Sequence, residues 1–468
     1  MKWNGEDIIK KKYLISYVTV FIFFSILLLN SKELSLDEIW CYGFTKRITG
    51  GFVPYKDYNL IPTPLFFYIG TIFSKSLISF RLYGALINTI IVMLVFYICR
   101  KNSNDKKISL FITLIAIIIL SFTKFANYNI LLLLNLMISY IFAARFFWKK
   151  DEISSFLFGF SLSVCLLTKQ NVPAILIIIF TVMLSFLFIR RVILLKTYTS
   201  YILGGILPVL MFLVYSIYNG SISSFLNYAF LGTSSFKDNY LIQDGAQLLI
   251  LVSILITTLI ISDIFKSVND KMLAVVTLIF SVSSYILIYP IVDIYHSLML
   301  LLLNLIYLTP FLESNLIKLK YSKIEIPVLI IIIIYVFFIS TFSGNDYIRS
   351  KIKFYNNIVI TKSLEEDVNI ICDYIKEQEE NGIDVAIISR RSYLYNIPAN
   401  DYNGILDLLM TGNMGTKSIE DIKALIDEKD IILTNDIYEY QDIKKVREYI
   451  FDTYTQTGTI GSMKIYIK

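Results

Sequence analysis

The stretch Val172-Pro-Ala-Ile-Leu-Ile-Ile-Ile-Phe-Thr-Val-Met-Leu-Ser-Phe-Leu-Phe-Ile189 decides the fold. It carries no charge from end to end and is bounded by Lys169 on one side and Arg190-Arg191 on the other. A helix needs about 20 mostly apolar residues to cross the hydrocarbon core of a bilayer, with its charges left at the ends. Working outward from this run, ten others share its make-up. The expected spans are 13–30, 81–99, 108–122, 129–147, 154–168, 172–189, 200–218, 247–265, 272–290, 295–312 and 325–343. Composition agrees, since 56% of the 468 residues are hydrophobic and only 17% charged, too little polar surface to cover the cores of a soluble protein this long. A soluble globular enzyme, a disulfide-rich secreted domain and a disordered tail are excluded. Cys41, Cys99, Cys165 and Cys372 are scattered without a CxxC pair and His296 is the single histidine, so neither a disulfide framework nor a zinc site is indicated.

The formal net charge of +6 would suggest a nucleic-acid partner only if the basic residues formed one surface. They sit instead in alternate short loops: Lys10-Lys11-Lys12, Arg100/Lys101/Lys106/Lys107, Arg145/Lys149/Lys150 and Arg190/Arg191/Lys196. Basic loops stay on the cytoplasmic side. The expected protein is therefore a multi-pass protein of the plasma (cytoplasmic) membrane, with its N-terminus inside and no nucleic-acid partner. An odd number of spans then puts the C-terminus outside. The first run follows Lys12 and has no small-residue cleavage site, so it reads as an uncleaved anchor. Residues 62–80 are nearly apolar enough for a further span, but Lys75 interrupts them, and they are expected to lie at the interface on the outer side.

From Gly344 the chain becomes ordinary soluble sequence with more Asp and Glu than Lys and Arg. Ser363-Leu-Glu-Glu366 has the form of a helix-capping box, followed by Leu364, Val368, Ile371 and Ile375 at helical spacing up to Gly382. Residues 384–389 and 430–434 read as buried strands, Ser418-Ile-Glu-Asp421 as a second helix start, and 463–467 as a last strand. The expected fold class is an all-α polytopic membrane domain over residues 1–343 with about 11 transmembrane helices, followed by a small α/β soluble domain over 344–468.

The middles of the spans are nearly devoid of ionisable groups, and glycine- or proline-broken spans in matching halves are not evident. Both observations argue against an ion-coupled transporter. Chemistry is better sought in the first outer loop, 31–80. Ser35-Leu-Asp-Glu38 is another capping box, so a helix starts there. Leu36, Ile39/Trp40, Phe44 and Ile48 give it an apolar stripe suited to the membrane interface, and Gly50-Gly51 ends it. Asp37 and Glu38 fall in the first turn, where acidic groups complement the helix dipole whether or not they do chemistry. Asp57 and Tyr55 read equally as loop residues, Lys169 as a side chain reaching to the interface, and His296 as a packed residue at a span end.

Leu36-Asp37-Glu38, then Gly51-x-x-Pro54-Tyr55-x-Asp57, then Pro62-x-Pro64-Leu65, placed directly after a first span, resemble the GT-C glycosyltransferases. Within them, the group of protein O-mannosyltransferases and aminoarabinose transferases looks nearest. The resemblance implies a polytopic enzyme that takes a sugar from a polyprenyl-phosphate carrier on the outer face of the membrane. It places Asp37 at the position of the family's catalytic acidic residue. Glu38 would then orient Asp37 or the acceptor, and Asp57 and Tyr55 would contact sugar or acceptor hydroxyls. Lys169 with Gln170, and less directly Arg81 and His296, would face the carrier phosphate. Tyr295-His296 matches a His-Tyr motif of relatives in reverse order. One departure stands out: where many relatives have an acidic residue in the second outer loop, this chain has Lys124-Phe-Ala-Asn-Tyr-Asn129. A hard oxygen ligand is thus missing, and no metal or other cofactor is expected. The implied partners are a polyprenyl-phosphate-linked sugar donor, an acceptor of unidentified class and the lipid bilayer. The competing readings are a transporter or flippase, a membrane sensor, and an enzyme using a diphosphate carrier.

Overall fold

The computed structural model describes residues 11–32, 34–103, 105–123, 125–232, 241–264, 271–289, 291–309, 331–334, 346–409, 413–435 and 441–468. The chain forms two compact units. One gathers Met1–Leu28, Gly84–Phe212 and Tyr240–Phe342; the other gathers Leu29–Tyr83, Leu213–Asn239 and Ser343–Lys468. The division thus differs from the expected one at residue 343, because the first outer loop folds with the C-terminal region.

The first unit is a helical bundle. It takes in α1 (Lys11–Leu29) up to Leu28, the part of α4 (Leu77–Asn102) after Tyr83, and α5 (Lys106–Ser121). It continues with α6 (Tyr128–Lys149), α7 (Glu152–Thr168), α8 (Asn171–Ile189) and α9 (Leu195–Tyr218) up to Phe212. After α10 (Ile222–Leu226), which belongs to the second unit, come α11 (Ala246–Ile264), α12 (Lys271–Ser284) and α13 (Ile294–Leu308). Helix α6 packs along α7, and α11 along α13, around a cluster of Tyr140, Phe180, Phe280 and Tyr307. Helices α7 and α9 touch where Gly159 meets the carbonyl of Tyr201 and Gly204 that of Phe156, an approach that any Cβ would block. Helix α8 exposes Ile178, Val182, Phe186 and Ile189, an apolar face suited to lipid.

Five described helices are long and apolar enough to cross a membrane: Leu77–Asn102, Tyr128–Lys149, Asn171–Ile189, Leu195–Tyr218 and Lys271–Ile288. The expected eleven are not reached among the described residues. The runs at α1, α5, α7, α11 and α13 do fold as helices but do not meet both criteria, and the run at 325–343 lies outside the described residues except for 331–334. Residues 62–80 do not make one long helix. They break into α3 (Leu65–Gly70), a 3-10 turn at Thr71–Phe73 and the start of α4, which is fixed by reciprocal bonds between Ser76 and Ser79 (Ser76 N to Ser79 Oγ 3.1 Å, Ser79 N to Ser76 Oγ 3.2 Å). The long helix therefore begins at Leu77 rather than at residue 81.

The second unit is built on a four-stranded sheet. Strands β5 (Val385–Ile388) and β6 (Ile431–Thr434) are parallel and wholly buried; β8 (Met463–Ile467) pairs antiparallel with β6, and β7 (Thr455–Ile460) with β8. These follow the two-residue strands β1 (Leu241–Ile242) and β2 (Ile291–Val292) of the bundle and the hairpin of β3 (Tyr347–Arg349) and β4 (Val359–Thr361). Helices α14 (Lys362–Glu380), α15 (Ser392–Ala399), α16 (Ile419–Asp427) and α17 (Gln441–Thr453) accompany the sheet. Ser418 and Asp421 form the expected reciprocal box at the start of α16. At α14 the cap is Thr361, two residues earlier than expected, because β4 ends there and the helix follows at once.

Helix α2 (Leu36–Thr49) belongs to this unit. Ser35 caps it by accepting from Glu38 N at 3.1 Å, and Gly51, at φ +92°, turns the chain away just past its end. The helix does not have the exposed face of one lying in a membrane interface. Glu38, Ile39, Cys41, Tyr42, Gly43, Phe44, Thr45 and Arg47 are all buried, and α2 packs on α3 and α15. At the crossing with α15 a Cβ on Gly43 would lie 2.5 Å from Tyr393 Cδ1. Gly43→Ala should therefore destabilise the second unit by about 1–3 kcal/mol, the usual range for overpacking. Thermal unfolding of the purified protein checks this, and combining the change with Tyr393→Leu should recover part of the loss.

Candidate active site

The two adjacent carboxylates at the start of α2 meet different surroundings. A helix turns about 100° per residue, so neighbouring positions face different ways. Asp37 is exposed, whereas Glu38 is 1% exposed. Glu38 receives the fork of Arg81, Nε to Oε1 at 2.6 Å and Nη2 to Oε2 at 2.8 Å, while Nη1 of the same guanidinium donates to Ser31 O at 3.0 Å. Arg81 is itself wholly buried, so this is a bidentate pair removed from water. The expected capping box is thus half formed: Ser35 caps the helix, but the Glu38 carboxylate turns to Arg81.

Tyr55 and Asp57 shape the loop after α2. Tyr55 is buried at φ +70°, a conformation bulky residues rarely adopt. It is held there by its hydroxyl on Pro62 O at 2.9 Å and by its ring against Phe225. Asp57 is half-buried, and its Oδ2 accepts from Val53 N at 2.6 Å, closing the turn.

Arg47, near the other end of α2, was not singled out from the sequence. Its Nη1 donates to Asp407 Oδ2 at 2.7 Å and to Gly404 O at 3.2 Å, and its Nη2 to Asp57 O at 3.4 Å; the guanidinium lies among the rings of Phe52, Tyr58 and Tyr402. Asp407 also accepts from Asn396 Nδ2 and from Asn403 N. Burial pushes the Asp407 carboxyl above the usual carboxylate range, against the pull of Arg47. Burial also raises Asp401, and the nearby charges of Asp407 and Glu379 carry it to about 7. Such pairings, hundreds of residues apart, leave no local pattern in a sequence.

Lys169, Gln170 and His296 belong to the bundle unit. Lys169 ends α7 and places Nζ 2.8 Å from Asn129 Oδ1 and over the Tyr128 ring; Gln170, half-buried, precedes α8. Asn127 caps α6 and accepts from the Tyr295 hydroxyl at 3.0 Å. Asp293 caps α13 and accepts from both the backbone N–H and the ring Nδ1 of His296, at 2.7 and 2.9 Å. Burial opposes its ionisation, yet His296, with Lys169 in support, holds Asp293 below the usual carboxylate range. The i,i+3 spacing of Asp293 and His296 is the one signal that could have paired them in advance. Among the described residues no three of His, Cys, Asp or Glu gather as metal ligands.

The structure therefore brings Glu38 to Arg81 and sets Tyr55 and Asp57 in one loop, while Lys169 and His296 each have partners within the bundle. A helical bundle with five described helices long and apolar enough to cross a membrane, in a chain that also forms a mixed α/β unit, is the architecture of a multi-pass membrane protein. No family model and no curated protein matches the chain. Two crystal structures of ArnT from Cupriavidus metallidurans are similar to it. The apo form matches with a TM-score of 0.59 over 97% of this chain and 98% of that one, and the form bound to undecaprenyl phosphate with 0.58 over 98% of each; identity is 10% in both cases. The chain is thus mostly helical with an ArnT-like fold and a small sheet in its C-terminal region, and at this identity the likeness is one of fold.

Removing one partner of a buried ion pair typically costs about 3–5 kcal/mol, because the other charge is stranded. Arg81→Met alone should sharply lower the yield of folded protein, and Arg81→Met with Glu38→Gln should restore much of it, as read by size-exclusion in detergent. The raised Asp401 gives a pH signature. A carboxyl near 3.9 in the unfolded chain and about 7 in the fold adds stability that is complete below pH 4 and lost as pH rises through 7. Asp401→Asn should accordingly raise the unfolding midpoint at pH 8 and change it little at pH 4, as followed by thermal melts at both values.

Proposed function

We propose that this protein is a membrane glycosyltransferase that moves a sugar from a polyprenyl-phosphate carrier to an acceptor hydroxyl on the outer face of the membrane, with Asp37 as the base. The observation that carries this reading is the likeness of fold, over nearly the whole chain, to a structure described as ArnT bound to undecaprenyl phosphate. The exposed acid at the first turn of α2 supports the assignment of the base, since a proton acceptor has to be reachable by its donor.

A sugar held on a lipid phosphate is already activated. The acceptor oxygen attacks the anomeric carbon, the bond from that carbon to the phosphate oxygen breaks, and the polyprenyl phosphate leaves with the electron pair. Asp37 takes the proton of the attacking hydroxyl, the logic of single-displacement glycosyl chemistry. In this reading the Glu38–Arg81 pair fixes the turn that carries Asp37, so that Arg81 acts through Glu38 rather than on the phosphate. Asp57 and Tyr55 shape the loop that meets sugar or acceptor hydroxyls. Lys169, with Gln170 and His296, supplies preorganised donors and positive charge for the carrier phosphate. The N-terminus is cytoplasmic, and residues 344–468 lie outside.

Purified protein in detergent should consume a radiolabelled polyprenyl-phosphate sugar when a suitable acceptor extract is present. Asp37→Asn should keep wild-type abundance in the membrane and lose transfer by at least about 100-fold, the lower end of what general-base catalysis contributes. Wild-type-like turnover in that variant would sink the assignment of the base. Movement of intact donor across vesicles without bond cleavage would turn the reading to a flippase.

A further inference from the structure

Helix α2 carries the proposed base in its first turn, and one side of the helix is held by the C-terminal region of the same unit. Trp40, Phe44 and Arg47 follow at spacings of four and three, so they form a row along that side. Trp40 Nε1 donates to Arg390 O at 2.9 Å, the Phe44 ring meets the Tyr393 ring edge-on at 5.4 Å, and Arg47 is anchored to Asp407 at 2.7 Å. Asp37 lies one turn before Trp40 at the head of the row. Trp40, Phe44 and Arg47 each have a partner between residues 390 and 407, on or beside α15.

Stability does not explain the choice of groups. A buried ion pair often contributes little beyond what apolar residues of the same shape would give. What it adds is direction: a forked guanidinium with Asp407, Gly404 O and Asp57 O as acceptors fits one rotation and one axial setting of the helix, whereas an apolar contact tolerates sliding. Asp407 is in turn fixed by Asn396 and by the Asn403 backbone, so the reference point is the C-terminal fold itself.

We propose that Arg47, Asp407 and Trp40 are positioning residues for the transfer reaction, through which residues 390–407 set the rotation of α2 and hence the place of Asp37. The inference rests on the reading of Asp37 as the base. It makes the C-terminal region a working part of the catalytic unit rather than an appended domain.

The test uses the full-length protein. Donor consumption by the wild type is measured first; its absence overturns the transferase reading and this inference with it. The variant Arg47→Met with Asp407→Asn removes the directional pair without stranding a charge, and Lys362→Met, which cuts an exposed ion pair to Glu366 on α14, is the control. For the double variant the expected result is faster hydrogen exchange along the amides of α2, at least tenfold lower kcat and an unchanged KM for the donor, with the control like wild type. Unchanged exchange in α2, or loosened α2 with full kcat, overturns the inference while leaving the transferase reading intact. Should the double variant fail to accumulate, Trp40→Phe tests the same link by deleting one donor and keeping a ring. It should lower kcat about three- to tenfold at constant KM, and full kcat in Trp40→Phe overturns the inference.

Discussion

A charge taken out of water must meet its opposite, and that constraint governs helix α2. An isolated carboxylate or guanidinium in an apolar interior is prohibitively unfavourable. Glu38 near one end of α2 and Arg47 near the other are both about 1% exposed. Each therefore dictates where another part of the chain has to lie: Arg81 at the start of the long helix α4, and Asp407 in the C-terminal region. Two such demands on a helix of 14 residues leave it little freedom to roll or slide. The loop of Tyr55 and Asp57 follows from the same constraint, since the Asp57 carbonyl is one of the acceptors that complete Arg47.

In the bundle, away from the charged helix ends at Lys169 and Asp293, neutral groups meet the same problem. Inside it, Tyr140 meets Thr277, Ser281 bonds Asn304 and Thr257, and Asn102 reaches Thr309. Neutral amides and hydroxyls cost far less to bury than ions, and between apolar helices they still fix register, because an unmatched group would have no water to turn to. Where helices approach most closely the means is subtraction instead, with Gly159 and Gly204 letting backbones of α7 and α9 touch.

What the sequence disclosed, and what it withheld, follows from the range of each interaction. Ser35, Ser418, Gly51 and the runs at 385–388, 431–434 and 463–467 act within a few residues of themselves, and their elements formed where read. Ser363 misled because Thr361 is an equally good cap, and only the pairing of β4 with β3 decides between them. The stripe on α2 misled for a deeper reason: an apolar face looks the same whether lipid or protein is to cover it. The apolar runs located the described helices, while five of these reach full span length among the described residues, since a run of hydrophobic residues does not say where its helix breaks. Glu38 with Arg81 and Arg47 with Asp407 could not be foreseen at all, because no local spacing relates them.

The least legible distinction is also the one that matters most for chemistry. In the sequence Asp37 and Glu38 are two acids in the first turn of a helix, and either would suit its dipole. The fold separates them by one helical step. The inward side chain is the longer one, able to meet a guanidinium squarely with both oxygens, and it thereby becomes part of the framework. The outward side chain, the base proposed above, is the shorter one and has fewer rotamers to lose on being ordered. An acid on a turn clamped from beneath, with little freedom of its own, comes closer to a preorganised base than either residue would alone. The adjacency that made the two interchangeable in the sequence is therefore the means by which one can hold the other in place.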